Sequence, residues 1–279
     1  MRILQTYESK CARQPDSHLD VEISTPPLKW AGGKRWQLPH LRKLLRGRQY
    51  GRLVEPFSGG LAVSLGLRPP VALLNDINPH LINFYRWIGR GLSINFPLEN
   101  DEVTYYACRN RFNELLKGGA AENSEAAGLF YYLNRTGFNG LCRFNQQGFF
   151  NVPFGRHATI NYRREFAEYR QIFKGWKFSS QDFRNLALNS ADLVYADPPY
   201  DVEFTQYSKD GFCWDDQVRL AEWLAHHDGP VILSNQATPR IVKLYRSLGF
   251  KLKFLDAPRM ISCNGDRSPA REVLAFRNL

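Results

Sequence analysis

The tetrapeptide Asp197-Pro198-Pro199-Tyr200 follows the apolar run Leu193-Val194-Tyr195-Ala196, so a carboxylate, backbone carbonyls and an aromatic ring meet at what reads as a strand end. Asp-Pro opens many ordinary turns, and the dipeptide alone decides little. Proline, however, has no N–H to give a ladder, which leaves neighbouring carbonyls open to a ligand's donors. The set suits a planar amine: acceptors for its two N–H groups, and a ring on which its plane can stack.

Three further segments carry chemistry. Residues 53–60, LVEPFSGG, read as strand, turn and helix start. Gly59 and Gly60 would let a ligand approach the backbone, as in dinucleotide sites, although GxGxxG is incomplete and a plain tight turn would use the same glycines. Asp76 ends the next apolar run, VALLND, 17 residues after Gly59. That is close to the spacing of an acid that binds ribose hydroxyls, and the pair predicts an adenosine-containing cofactor. Residues 28–34, LKWAGGK, place Lys34 after a glycine pair, but Arg35 follows and GxxxxGK[ST] is not matched, which argues against an NTPase.

These residues need a scaffold. Short apolar strands alternate with helical segments at 53–88, and the rhythm resumes at 176 with WKFSSQDF, LVYADPPY, the helix WDDQVRLAEWLAHH and the strand PVILSN. Such alternation indicates an α/β fold with a parallel sheet. FKLKFLDA and REVLAFRN are placed to close it as an antiparallel pair. Between about 80 and 170 the rhythm breaks into helical segments (LINFYRWI, TYYACRNRFNELL, AAGLFYYLN) and an aromatic, glycine-rich stretch, in which alternating apolars around Gln147-Gly148 predict a β-hairpin. The division expected is an N-terminal extension over 1–25, a cofactor-binding catalytic domain from 26–80 and 171–279, and an inserted module over 81–170. For Tyr131 and Tyr132, core packing is the expected role.

Composition narrows the class. The 279 residues are 43% hydrophobic and 23% charged, enough for a sizeable core. No apolar run approaches a spanning helix and no secretory h-region is visible, which predicts a cytoplasmic protein. Five scattered cysteines without a CxxC pair suggest reduced thiols and no metal site. The formal charge of +10 favours a polyanionic partner. Eight basic and no acidic residues lie between Pro26 and Arg52, and six arginines face two glutamates between Arg135 and Arg170. A solvated basic face would explain the first run equally well.

LKWAGGK, LVEPFSGG, NDINPHLI, YLNRTGFNGLCRFNQQGFFNVPFG, DPPY and SCNGDR occur in an order that resembles the Dam-type DNA adenine-N6 methyltransferases, over about Leu28 to Phe276. Cofactor motifs first, inserted module next and DPPY last is similar to the alpha arrangement of amino-methyltransferases. The resemblance implies a Rossmann-like methyltransferase sheet with an inserted helical target-recognition module carrying the hairpin, and S-adenosyl-L-methionine as cofactor. In its terms Trp30, Lys34, Phe57, Gly59, Asp76, Asp182, Phe183 and Asp197 contact the cofactor, Asp76 at the ribose, Asp182 and Phe183 at the adenine, Trp30 and Lys34 near the methionine end.

Asp197, Pro198 and Tyr200 would hold the target amine, the first two as N6 hydrogen-bond acceptors and Tyr200 as the stacking ring. The base must be flipped out of duplex DNA to reach them. Lys29, Leu141, Arg143 and Pro153 take base-reading positions, and a bidentate Arg143 on guanine is the contact expected of the hairpin. Asn139 supports the opened site. Phe138 stands where tyrosine is usual, keeping the stacking face and losing a hydroxyl. The matched readers resemble those of GATC-specific enzymes, and the chain is expected to act as a monomer on double-stranded DNA, with no membrane and no metal. Two other readings stay open on the residues themselves: a methyltransferase on RNA or a protein amide, and a catalytically silent DNA-binding relative. A metal-dependent nuclease is disfavoured, because no acid-rich ligand cluster accompanies DPPY.

Overall fold

The computed structural model describes residues 25–201, 211–257 and 270–279. Ser262 to Arg267, the SCNGDR motif, and residues 1–24 of the expected extension lie outside them. Seven strands form one sheet: β1 (Arg52–Glu55), β2 (Ala72–Asn75), β3 (Trp176–Ser179), β4 (Asp192–Ala196), β5 (Val231–Gln236), β6 (Lys251–Ala257) and β7 (Ala270–Arg277). Their order is β3-β2-β1-β4-β5-β7-β6. Strands β1 to β5 are parallel, and β7 and β6 close the sheet as the expected antiparallel pair.

Both faces of the central strands are covered, which is why β1, β2, β4 and β5 are buried along nearly their whole length without alternation. On one face Leu53, Leu193 and Ile232 pack with Leu41 of α1 (Leu38–Leu45) and with Val63 and Leu65 of α2 (Ala62–Leu67). On the other, Val54, Val194 and Val231 pack with Leu220 and Leu224 of α7 (Trp214–Ala225) and Ile241 and Tyr245 of α8 (Pro239–Ser247). Helices α1 and α8 are not among the elements expected above, although each carries a short apolar stripe. Both are short helices begun by proline within their first two positions, a start that fits the missing N–H and the fixed φ of proline.

Between β2 and β3 lie α3 (Pro79–Gly89), α4 (Glu102–Lys117), α5 (Ser124–Thr136) and α6 (Tyr169–Ile172). Asn78, Asp101 and Asn123 cap the first three by accepting from backbone N–H groups of the opening turn. Phe84, Phe112, Phe130, Tyr131 and Tyr132 are buried in the same cluster as Leu53 and Leu74 of the sheet. The inserted helices therefore rest on the sheet through one continuous core, and Tyr131 and Tyr132 are core residues.

The hairpin forms around Gln147-Gly148 as expected. Phe144 pairs with Phe150, and Asn145 N donates to Phe149 O at 2.9 Å. Asn113 of α4 holds it by bonding both the N–H and the carbonyl of Phe150, at 2.8 and 3.1 Å.

From β1 the chain steps outward to β2 and β3, then returns to β4 on the other side of β1. The crevice beyond the carboxyl ends of β1 and β4 is thus the topological switch point, where sheets of this kind hold ligands. Phe57 to Gly59, Asp76, Asp182 and Asp197 each follow a strand that ends at this edge.

Candidate active site

At the end of β4, the Asp197 side chain keeps 18% of its surface exposed. Its Oδ2 lies 3.2 Å from Lys34 Nζ, whereas Oδ1 is buried and has no hydrogen-bond partner. Burial pushes the carboxyl up to about 6, against the pull of Lys34, and the carboxylate of Glu272 adds to the rise. Lys34 is itself buried, donates to Gly32 O at 2.6 Å and stands 4.6 Å from the centre of the Tyr200 ring. The Tyr200 hydroxyl points inward, 2.8 Å from both Ser234 Oγ of β5 and Glu272 Oε2 of β7. Gln217 of α7 donates to Pro199 O at 2.7 Å and fixes the turn from behind. The Pro198 carbonyl accepts no hydrogen bond from the described residues.

The adjoining strand ends form the second half of the crevice. Asp76 accepts from Gly59 N and Asn78 N, each at 3.0 Å, so the 17-residue spacing closes into a direct contact. Burial raises its carboxyl, partly offset by these bonds. The glycine pair has a different immediate reason from the one expected. A Cβ at Gly59 would lie 2.7 Å from Trp30 Nε1, and one at Gly60 2.8 Å from Trp30 Cβ. The group that approaches these glycines is the protein's own indole, and Gly59 also has φ +44°. Phe57, Phe183 and Phe212 form an aromatic wall, with Phe57 centred 5.7 Å from Phe183 and 5.4 Å from Phe212. Asp182 accepts from Arg184 N at 2.9 Å and pairs with Arg219 at 3.4 Å.

Several residues at this edge carry no sequence assignment. Asn75 ties three strand ends together: its Nδ2 donates to Pro56 O and Gln181 O, and its Oδ1 accepts from Ser179 Oγ and Gln181 N. Glu55 is buried at the end of β1, bonded by Ser64 Oγ. Burial, with Asp197 adding, raises it to about 8, so it keeps its proton at neutral pH. Ile77, next to Asp76, is 72% exposed. The signal for Asn75 was present, as a polar residue closing an apolar strand; nothing local marked Glu55 as buried.

The other matched residues gather on the inserted segment. Phe138, Asn139, Leu141, Arg143 and Pro153 are all exposed. Phe138 N donates to Pro153 O at 2.9 Å, which sets those two side by side. Arg143 Nε and Nη2 bond Asn151 Oδ1 and O across the hairpin, at 2.8 and 3.2 Å. Nη1 has no partner among the described residues. Asn134 bonds the backbone N–H and carbonyl of Lys29 and the carbonyl of Gly140, clamping the 28–34 segment to this loop. Lys29 is the exception to the exposed group: its ammonium turns inward, 2.9 Å from Arg135 O and 3.2 Å from His157 Nε2. Burial and Arg135 lower its pKa.

Comparison with known proteins bears on this geometry. The family described as D12 class N6 adenine-specific DNA methyltransferase matches residues 30–261. The chain belongs to that family. It is 38% identical over 263 residues to the retron Ec67 DNA adenine methylase of Escherichia coli, covering 89% of this chain and 90% of that one. With the DNA adenine methylase of Escherichia coli K12 the identity is 35% over 270 residues, 89% and 94% covered. Escherichia phage P1 DNA N-6-adenine-methyltransferase is 37% identical over 279 residues, although the match spans only 36% of that longer protein. The chain is an adenine-specific DNA methyltransferase, and the D12 match takes in the crevice, the hairpin and DPPY alike. Among the described residues no helix is long and apolar enough to cross a membrane, and no group of three or more His, Cys, Asp or Glu could hold a metal ion.

Proposed function

We propose that this D12-class chain methylates adenine N6 within GATC in double-stranded DNA, on a base flipped into the crevice, with S-adenosyl-L-methionine as donor. The observation that carries the reading is the division of labour at Asp197. Lys34 holds Oδ2, and Oδ1 is desolvated and unpartnered at the switch point. A buried acceptor without a donor is costly, and an amine N–H is what it lacks.

The fit to the donor rests on the same edge. Asp76 keeps lone pairs for ribose hydroxyls beyond those given to Gly59 and Asn78, and Phe57 and Phe183 offer an apolar wall for an adenine beside Asp182. Ile77 adds an exposed apolar surface next to the ribose acid. Ser58 Oγ, just after β1, is a second buried polar atom without a partner. When bound, S-adenosyl-L-methionine supplies a methyl group on a sulfonium that leaves as a neutral thioether.

The target nitrogen is a weak nucleophile, because its lone pair is delocalised into the ring. Asp197 Oδ1 and the Pro198 carbonyl, each accepting one N–H, favour a pyramidal amine and fix its direction. Tyr200 stacks on the base. Orientation of this kind supplies most of the acceleration. A base in a stacked duplex cannot reach a half-buried carboxylate, so it must be extruded.

The exposed group at 138–153 then meets the duplex. Arg143, braced by Asn151 through Nε and one N–H of Nη2, presents Nη1 and the second N–H of Nη2 to guanine O6 and N7. Leu141 and Pro153 offer apolar contact to thymine methyls, and Phe138 fills the space the base leaves beside Asn139. Lys29 must turn outward to read a base. Every residue in this scheme comes from one copy of the chain, so a monomer suffices. The test is a plasmid incubated with enzyme and donor, then digested with nucleases that differ in sensitivity to adenine methylation in GATC. Protection from the sensitive nuclease alone is expected; cutting by both would remove the GATC assignment.

A further inference from the structure

Behind the DPPY turn lies a buried polar network that the scheme above leaves without a task. Gln37, in the helical turn leading into α1, donates from Nε2 to Ser234 Oγ at 3.0 Å and to Glu272 Oε2 at 2.8 Å, and accepts from Tyr195 OH at 3.0 Å. Glu272 Oε2 and Ser234 Oγ are also the two partners of the Tyr200 hydroxyl, both at 2.8 Å. Gln37 and Ser234 are fully buried, and Glu272 is 8% exposed. A charged carboxylate in that setting costs free energy unless its bonds repay it, and here the repayment converges on one aromatic side chain. Lys34 stands over the same ring, 4.6 Å away, so one of its faces is already taken.

We infer that Glu272, with Ser234 and Gln37, is a positioning residue for the target base: it anchors the Tyr200 hydroxyl so that the ring presents its remaining face to the adenine from a fixed place. The inference rests on the reading that Tyr200 stacks on the target. A ring held only at Cβ would swing about χ1 and shift with the base. Held also at its far end by two bonds from strands β5 and β7, it becomes part of the sheet. Preorganisation of this kind acts on the reacting geometry and not on the encounter with DNA or cofactor. Glu272, at 8% exposure, has little surface to offer either.

The experiment is a double-mutant cycle on the full chain with a GATC duplex, reading kcat, KM for DNA and melting temperature for Glu272→Ala, Tyr200→Phe and the pair. Each single variant should lose about 10- to 100-fold in kcat with little change in KM, because a shift of about 1 Å at a reacting group costs that much. The double variant should be no worse than either alone, since both cut the same tether. Glu272→Gln keeps an acceptor oxygen and should recover most of the rate. If Glu272→Ala does not fold, Ser234→Ala takes its place, alone and with Tyr200→Phe. Losses that multiply, or a folded Glu272→Ala with the wild-type kcat, would overturn the inference. Tyr200→Ala separates the two levels: if it too left the rate intact, the stacking reading itself would fall, whereas a collapse confined to Tyr200→Ala would sink only the tether.

Discussion

Asp197 is pulled two ways. Its folded pKa of about 6 lies above the ordinary 3.8, chiefly through burial. A raised carboxyl pKa means the folded state prefers the protonated form, so its contribution to stability is whole below about pH 4 and is lost as pH rises through 6. Asp197→Asn, a neutral isostere, should therefore stabilise the protein at pH 8 by about 1–3 kcal/mol and leave it unchanged near pH 4. Thermal melts at the two pH values check this; equal effects at both would show that the carboxyl is not strained by burial. The proposed role of Asp197 needs the opposite form, since only the carboxylate accepts through both oxygens. The pH profile of kcat/KM should fall on its acid side near pH 6, and a profile flat down to pH 5 would contradict it. That Asp197, Asp76 and Tyr200 lie at strand ends was legible, because their types and spacing announce it. Glu55, Glu272 and Gln37 were not, because their work is to bond partners from 9 to 235 residues away, and no local pattern encodes a partner so distant.

At the scale of elements, the strands could be read directly, since a sheet covered on both faces demands apolar runs of four to eight residues. The antiparallel closing pair and the hairpin followed from the same rule with turn chemistry added. Helices α1 and α8 span only 8 and 9 residues, yet both carry an apolar stripe at helical spacing (Leu38, Leu41 and Leu45; Ile241, Leu244 and Tyr245), so their period was present in the sequence. The glycine turn after β1 was legible in place but not in cause. Its backbone is bare to admit Trp30, so Gly60→Ala should drive a methyl into the indole stem and cost about 1–3 kcal/mol. Calorimetry should show a lower melting temperature and weaker cofactor binding together; a variant with neither change would mean that Trp30 is free to move aside. The hairpin makes a second demand. Arg143 is braced across it, and Arg143→Ala should cost about 1–3 kcal/mol of discrimination at one guanine while binding to random duplex stays nearly constant. Near-cognate duplexes altered at one position of GATC, compared at fixed salt, decide this. Uniform weakening across the panel would assign Arg143 to phosphate instead.

Among the described residues, two parts of the chain build one sheet and the segment between them builds a surface beside the carboxyl ends of its strands, the two joined by a continuous core. A charge of +10 is carried on that frame. Binding to non-specific duplex should therefore weaken steeply with salt, by about tenfold or more between 50 and 200 mM if only a few phosphates are neutralised; a salt-independent affinity would show that the basic runs face solvent only. The central claim joins this surface to the carboxylate it serves, and one measurement reaches it: transfer of a labelled methyl group from S-adenosyl-L-methionine to a GATC duplex, with the product base identified, for wild type and Asp197→Ala. The account predicts label on adenine N6 with wild type, and none above background with a folded variant that still binds DNA. Comparable turnover by Asp197→Ala, or label on any other base, would contradict it.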